Sequence, residues 1–126
     1  MEEIHTDAAP ASIGPFSQGI RDGDRIFVSG QGPVDPDSGE VVSDDIREQT
    51  ARTLENIGAI LEAGGSSLDA VVKSTVFVTD MSNYDAVNDV YAEYVSDPYP
   101  ARSAVEVNEL PIDIGVEIEV IATTDP

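Results

Sequence analysis

One long amphipathic stretch constrains the fold of this chain more than any other feature. Apolar residues recur at helical spacing over Ile46–Leu61, and Gly64-Gly65 follows as a left-handed stop. Ser43 is a suitable N-cap, and Asp44 and Asp45 then place negative charge at the positive end of the helix dipole. A helix with one apolar face has to bury that face, so the pattern predicts helix one packed onto a sheet.

The strands of that sheet are predicted from alternating and β-branched segments. The other predicted elements are a short strand at Glu3–Thr6, a hairpin of Phe16–Arg21 and Arg25–Gly30 around an Asp-Gly turn, a strand at Val71–Thr79, helix two over Asn83–Val95 opened by Ser82, and strands at Arg102–Val107 and Gly115–Thr123. This order predicts a single domain over residues 1–126, of the α+β class, with a mixed sheet and both helices on one face.

Two further segments are predicted to be structural. In helix two, Tyr84, Val87, Tyr91, Tyr94 and Val95 share one face at spacings of three and four, which indicates a core face rather than a site. The irregular segment at residues 30–39 lacks the spacing of a phosphate loop or a calcium loop, which indicates a loop without a ligand.

The chain is strongly acidic along its whole length. It has 25 Asp and Glu against 6 Lys and Arg, for a formal net charge of −19. This balance disfavours binding to nucleic acid or anionic membranes in dilute salt. Near 1 M salt the Debye length is about 3 Å, so evenly spread surface acid then causes little self-repulsion. We therefore expect the acidity to be an adaptation of the surface to high salt.

Several kinds of site are excluded by residues that the chain lacks. There is no cysteine, and His5 is the single histidine. These absences exclude thiolate zinc sites and Ser or Cys triads, and we expect no metal and no cofactor. No apolar run is long enough for a membrane span, and the first residues lack the features of a signal peptide, so we expect a cytoplasmic protein without membrane partners.

The strand after helix two holds the strongest candidate binding residue. Arg102 stands in the proline-led segment Tyr99–Val107, where its neighbours are small or apolar. A guanidinium grips a carboxylate with two parallel hydrogen bonds, which favours a small carboxylate-bearing ligand. The alternative, that Arg102 pairs with one of the chain's own carboxylates, fits the sequence equally well.

The remaining residue types suit a simple hydrolysis. An arginine, hydroxyls, amides, backbone groups and a carboxylate are enough for a reaction in which a positioned water attacks an already electrophilic carbon. The imine of a 2-imino acid fits, because it hydrolyses unaided in water. A protein has only to supply orientation, a proton acceptor and a proton route to the leaving ammonia.

Five co-linear segments, which together span nearly the whole chain, resemble the RidA/YjgF family. They are Ser12–Gly19, Val28–Gln31, Ser74–Val78, Tyr99–Ser103 and Val116–Ala122. The resemblance implies a chorismate-mutase-like fold and a homotrimer with sites between subunits. It also implies hydrolysis of reactive enamine/imine intermediates of the 2-aminoacrylate type, such as 2-iminobutanoate and 2-iminopropanoate, to 2-keto acids and ammonia.

The same resemblance implies a role for six residues. Arg102 clamps the substrate carboxylate, Glu117 orients and deprotonates the water, Ser29 and Asn88 line the pocket, Phe16 covers it, and Ala104 offers backbone N–H and C=O groups. The family often has tyrosine at position 16 and cysteine at position 104. We therefore expect the ring without its hydroxyl at the first position, and no thiol chemistry at the second.

Each assignment has a plainer alternative. Glu117 could be solvated or could neutralise the arginine, and Glu119 shares its strand face as a rival. Ser29 could be a strand-end hydrogen bonder, Asn88 a helix-surface amide and Phe16 a core aromatic.

Two other classes of function stay open. Some RidA/YjgF relatives are described as endoribonucleases or translation inhibitors, and others as non-catalytic carboxylate-binding or chaperone-like proteins. RNA binding predicts basic stripes interleaved with aromatic residues, which six scattered basic residues do not supply. A protein that only binds would take up 2-keto acids without accelerating imine turnover.

Overall fold

A six-stranded mixed sheet carries both helices on one face. The computed structural model describes residues 1–124, and its elements are β1 (Glu2–Ile4), β2 (Gly19–Asp22), β3 (Arg25–Gln31), α1 (Ile46–Ala63), β4 (Val71–Val78), α2 (Tyr84–Tyr94), β5 (Ala101–Glu106) and β6 (Val116–Thr123), with 3-10 turns at Leu68–Ala70 and Met81–Asn83. The strand order is β1-β2-β3-β6-β4-β5, with β4 and β5 parallel and the other pairs antiparallel. The predicted α+β class is confirmed, and the last strand lies in the middle of the sheet.

The core lies between the sheet and the helices. In β6, Val116, Ile118 and Val120 are buried, so Glu117 and Glu119 lie on the opposite face. The predicted period of two is therefore confirmed. The helix side of the core is formed by Leu54, Ile57, Ile60, Leu61 and Val87, each 1% exposed or less. Each buried Leu or Ile side chain contributes roughly 1.5–3 kcal/mol relative to an exposed one.

Both predicted helix caps are wrong by one or two residues. The N-cap of α1 is Asp45 and not Ser43, because the Asp45 carboxylate accepts the Glu48 backbone N–H at 3.2 Å. The Ser43 hydroxyl instead accepts the N–H of Asp45 at 3.1 Å. Aspartate and serine are nearly equal as N-caps, so a Ser-Asp-Asp sequence does not by itself fix the first helical residue.

Helix α2 also begins later than predicted. The Asp80 carboxylate accepts the Ser82 N–H at 2.9 Å, which opens a 3-10 turn, and α2 follows from Tyr84. Ser82 is therefore inside the preceding turn rather than at the cap.

The N-terminal segment is shorter in strand content than predicted. Strand β1 ends at Ile4, and β2 begins at Gly19 rather than at Phe16. The reason is Gln18, whose buried amide accepts the Thr6 N–H at 2.8 Å and donates to the carbonyl of Pro10 at 2.8 Å. These bonds replace strand pairing and hold residues 6–18 as an ordered loop.

Two turn predictions are confirmed. The predicted hairpin joins β2 and β3; Asp22 pairs with Arg25, so its two central residues are Gly23 and Asp24, and Gly23 has φ +62°. Gly65 has φ +84° directly after α1, which is the predicted left-handed stop. No helix within residues 1–124 combines the length and the apolar character needed to cross a membrane.

Nearly all acidic side chains within residues 1–124 lie on the surface. Among the acidic residues within 1–124, all are exposed except Asp35 and Glu117, which are half-buried. Surface charge of one sign repels itself, and salt screens that repulsion. Adaptation of this surface to salt stays a prediction.

We expect the melting temperature to rise with KCl concentration from dilute buffer to about 1 M, where the Debye length reaches about 3 Å, and to change little from screening beyond that point. Differential scanning calorimetry over a KCl series measures it. Equal or higher stability in dilute buffer contradicts the adaptation.

Candidate functional site

Arg102 is held on the helix side of the sheet by uncharged groups. Its Nη2 donates to Asn88 Oδ1 at 2.7 Å and to the Tyr84 hydroxyl at 3.0 Å. Its guanidinium carbon lies 4.9 Å from the centroid of the Tyr91 ring and 5.6 Å from that of Tyr84, within cation–π range. We call Tyr84, Asn88 and Tyr91 together the neutral cradle.

No carboxylate within residues 1–124 lies within salt-bridge distance of Arg102. By contrast, Arg25, Arg47 and Arg52 each have an acidic partner, at 3.2, 2.9 and 3.3 Å. The alternative of an internal ion pair, which the sequence left open, is therefore not what the described chain contains. The Arg102 charge stays available to a ligand.

Strand β5 is at the open edge of the sheet. It pairs on one side with β4, where Arg102 is in register with Ser74. The backbone groups of its outer side therefore have no strand partner within residues 1–124. Ala104 shares the Arg102 face and packs partly against the core.

Glu117 lies on the other face of the sheet, beside a cavity. The cavity has a volume of about 520 Å³ and is formed by the loops that follow β1 and β3 and by the loop that precedes β6. Its lining residues are Pro10, Ala11, Ser12, Ile13, Phe16, Gly30, Gln31, Gly32, Val34, Pro36, Asp37, Ser38, Gly39, Pro111, Ile112, Ile114 and Glu117. We call it the Glu117 cavity. Residues 30–39, expected to be a loop without a ligand, thus form much of its wall.

The Glu117 carboxyl group fits against a glycine. A Cβ at Gly30 would lie 2.8 Å from Glu117 Cδ, which is closer than real Cβ contacts. Gly30 lies in the bulged part of the β3–β6 ladder, between the paired residues Val28 and Gln31. Any other residue at position 30 has to displace the carboxylate.

Burial raises the pKa of Glu117, and the negative charge of Glu119 raises it further. Glu119 is itself exposed and does not line the Glu117 cavity. A half-buried carboxylate with a raised pKa is a better proton acceptor than an ordinary surface glutamate. Of the two rivals on this strand face, Glu117 has the surroundings of a general base.

The loops around the Glu117 cavity are fixed by buried amides. Asn56 of α1 donates to the carbonyl oxygens of Gly32 and Val34 at 3.0 and 2.9 Å. Gln49 Oε1 accepts the Gly115 N–H at 2.8 Å, directly before β6. These bonds fix the backbone of the loops that form and flank the cavity wall.

The predicted substrate-binding residues fall into two groups. Asn88 and Ala104 accompany Arg102, whereas Phe16 accompanies Glu117 and is 48% exposed, so it is not a core aromatic. The Ser29 hydroxyl donates to the Ser17 carbonyl at 2.6 Å, which is the strand-end bond of the plainer alternative. Their roles toward a substrate stay predictions.

The two groups cannot meet within one chain. Arg102 and Glu117 lie on opposite faces with β4 between their strands, about 10 Å apart across the sheet at the usual strand spacing. The two residues are also separated along the strand direction, because Arg102 is in register with Ser74 of β4 and Glu117 is in register with Phe77. The three residues from Ser74 to Phe77 correspond to about 10 Å along the strand.

Sequence reasoning missed three residues of this arrangement. Tyr84 and Tyr91 lie on the predicted core face of helix two, yet they also contact Arg102. Tyr91 is buried, and its hydroxyl lies 2.6 Å from the buried Ser74 hydroxyl. The third residue is Gly30, and its place in the Ser-Gly-Gln segment that ends β3 is the one feature of the sequence that could have indicated its role.

Comparisons with known proteins agree with this architecture. The family model described as Endoribonuclease L-PSP matches residues 6–124. A RutC family protein of Pyrococcus abyssi is 53% identical over 121 residues, covering 96% of this chain and 95% of that protein. Reactive Intermediate Deaminase A of Arabidopsis thaliana is 41% identical over 122 residues, covering 97% of this chain and 65% of that protein.

A solved structure extends the likeness to three dimensions. The crystal structure of E. coli TdcF with bound serine has a TM-score of 0.94 at 40% identity, covering 99% of this chain and 100% of that one. With nearly its full length matched in sequence and in fold, the chain belongs to the RidA/YjgF family.

Proposed function

We propose that this protein is an imine/enamine deaminase that hydrolyses 2-imino acids such as 2-iminobutanoate and 2-iminopropanoate to 2-keto acids and ammonia. The observation that carries the proposal is the Arg102 guanidinium, which is fixed in place and has no carboxylate partner within residues 1–124. In a chain with 25 acidic residues, such a charge suits a carboxylate supplied by a ligand.

The reaction needs one bound water and one base. Arg102 holds the substrate carboxylate, so that the adjacent C=N carbon is oriented toward the water. In the protonated imine, Glu117 accepts a proton from the water as the water oxygen bonds to the C=N carbon, and the imine nitrogen becomes a neutral amine. Glu117 then returns this proton to the amine and takes up the proton of the new hydroxyl group as the C=O bond forms and the C–N bond breaks. The 2-keto acid and ammonia are released, and the last proton leaves with the ammonia as ammonium.

We propose that each site is formed between two copies of the chain in a homotrimer. Arg102 and Glu117 lie on opposite faces, so a site that contains both needs the β5 edge of one copy beside the Glu117 cavity of the next. The sheet face away from the helices offers the exposed Phe27 and Val105 for such a contact. In this arrangement Phe16 covers the substrate and Ala104 supplies backbone groups.

The names of relatives support the same chemistry. The Arabidopsis relative is named a reactive intermediate deaminase, and the E. coli TdcF structure holds serine, a small amino carboxylate. The family model has the description of an endoribonuclease, but the surface described above is acidic and three of the six basic residues are paired with acids. That surface disfavours RNA as the substrate.

Coupled turnover tests the proposal. A threonine or serine dehydratase generates the imine in high salt, and the loss of the imine is followed spectroscopically with and without this protein. We expect clear acceleration by the protein and no cleavage of a generic RNA under the same conditions. Binding of 2-oxobutanoate without acceleration would make the protein a carboxylate binder and not an enzyme.

Mixing of two inactive variants tests the shared site. Arg102→Ala and Glu117→Gln chains, unfolded together and refolded as mixed oligomers, should regain activity in about one quarter of the sites, because each site takes one residue from each of two copies. Refolding of either variant alone is the control. A site within one chain gives no recovery.

The number of copies in the oligomer is tested by light scattering, which should give a mass three times that of the 13.3 kDa chain.

A further inference from the structure

The groups that surround Arg102 are uncharged although acidic residues stand next to them on the same helix. Asn88 lies between Asp85 and Asp89 in a five-residue stretch of α2, and it is the asparagine whose side chain reaches Nη2, at 2.7 Å. Asp89 is turned the other way and pairs with Arg47 of α1 at 2.9 Å. The nearest acid in sequence is thus engaged elsewhere.

Tyr91 of the neutral cradle is anchored by a contact with the buried Ser74. Ser74 faces Arg102 across the parallel β4–β5 pair, and its hydroxyl lies 2.6 Å from that of Tyr91. Both residues are buried, at 1% and 6% exposure, so the Tyr91 ring is held at its hydroxyl end as well as by the helix. The guanidinium rests against this ring, with Tyr84 and Asn88 both engaging Nη2.

Both side-chain hydrogen bonds of Arg102 are donated by Nη2. The N–H groups of Nε and Nη1 have no side-chain partner within residues 1–124. Neutral acceptors fix the orientation of a guanidinium without cancelling its charge, whereas a carboxylate would do both. An amide therefore provides positioning that an acid at the same place could not provide without competing with the ligand.

We infer that the neutral cradle of Tyr84, Asn88 and Tyr91 positions Arg102 and keeps its charge uncompensated for the substrate carboxylate. Asn88 is then a positioning residue, rather than the pocket-lining contact that the family resemblance implied. This inference rests on the proposed function, since it requires that Arg102 binds the substrate carboxylate.

The decisive variant is Asn88→Asp, which changes one amide group to a carboxylate of the same shape. It should place an acid on Nη2 and weaken the binding of 2-oxobutanoate by at least about tenfold, because the strong charge-assisted pair is then made internally. The melting temperature should stay the same or rise. The KM for the imine should rise more than kcat falls, since chemistry at Glu117 is untouched.

Asn108→Asp is the matched control, because it adds the same charge at an exposed position after β5 and away from Arg102. Isothermal titration with 2-oxobutanoate in high salt measures all three proteins. Unchanged affinity in Asn88→Asp, with a wild type that binds and turns over, overturns the inference and leaves the proposed function intact. Equal weakening in both variants also overturns it, because the effect would be one of net charge. A wild type that neither binds nor turns over removes the proposed function and this inference with it.

Discussion

Replacement of Arg102 by alanine should return imine hydrolysis to the uncatalysed rate. The substrate is a small molecule whose carboxylate is its one permanent charge, so loss of the guanidinium removes both its affinity and its orientation. Misplaced reacting groups typically cost about 10²-fold or more in rate, and the background reaction hides what little catalysis is left. The measurement is kcat/KM for imine loss in the dehydratase-coupled assay.

Arg102→Lys is the control for charge. Lysine keeps the positive charge but loses the planar fork, the two bonds from Nη2 and the contact with the Tyr91 ring, so we expect intermediate activity with a raised KM. Melting temperatures show whether either variant unfolds. Wild-type turnover in a folded Arg102→Ala protein is incompatible with an anchor at this position.

The parts of the structure that depend on local pattern could be predicted from the sequence. The stripe from Ile46 to Leu61 determines α1, and the alternation in β6 determines that Glu117 faces away from the core. Arg102 could be identified as a candidate binding residue because a single cation in an apolar strand has few structural reasons to be there. These inferences need only periodicity and side-chain chemistry.

The relations between elements could not be read in this way. Whether Arg102 pairs with an internal acid depends on which residues α2 brings to β5, and the sequence alone left that open. Tyr91 satisfies the core pattern of its helix and also supports Arg102, so periodicity assigns it to the core alone. Gly30 acquires its importance from the carboxyl group that a different strand places against it.

Replacement of Glu117 by glutamine should lower turnover while leaving the binding of 2-keto acids nearly unchanged. The amide keeps the shape that fits against Gly30 but cannot accept the proton of the attacking water. Removal of a general base typically costs about 10²–10⁴-fold in rate. The measurements are kcat from the coupled assay and the affinity for 2-oxobutanoate from titration, and a parallel loss of both would make Glu117 a structural residue.

The raised pKa of Glu117 predicts a pH dependence of activity and a pH dependence of stability. Because the base form is required, kcat/KM should fall as the pH drops through this raised pKa, and Glu119→Gln should shift that fall to lower pH by removing a like charge. A group whose pKa is raised on folding stabilises the protein only at low pH, and loses that contribution as the pH rises through its folded value. The Glu117→Gln protein should therefore melt at a higher temperature than the wild type at pH 7, and the difference should vanish in acid, where the wild-type carboxyl group is protonated. Loss of activity in Glu119→Gln instead of Glu117→Gln would transfer the role of base to the exposed neighbour.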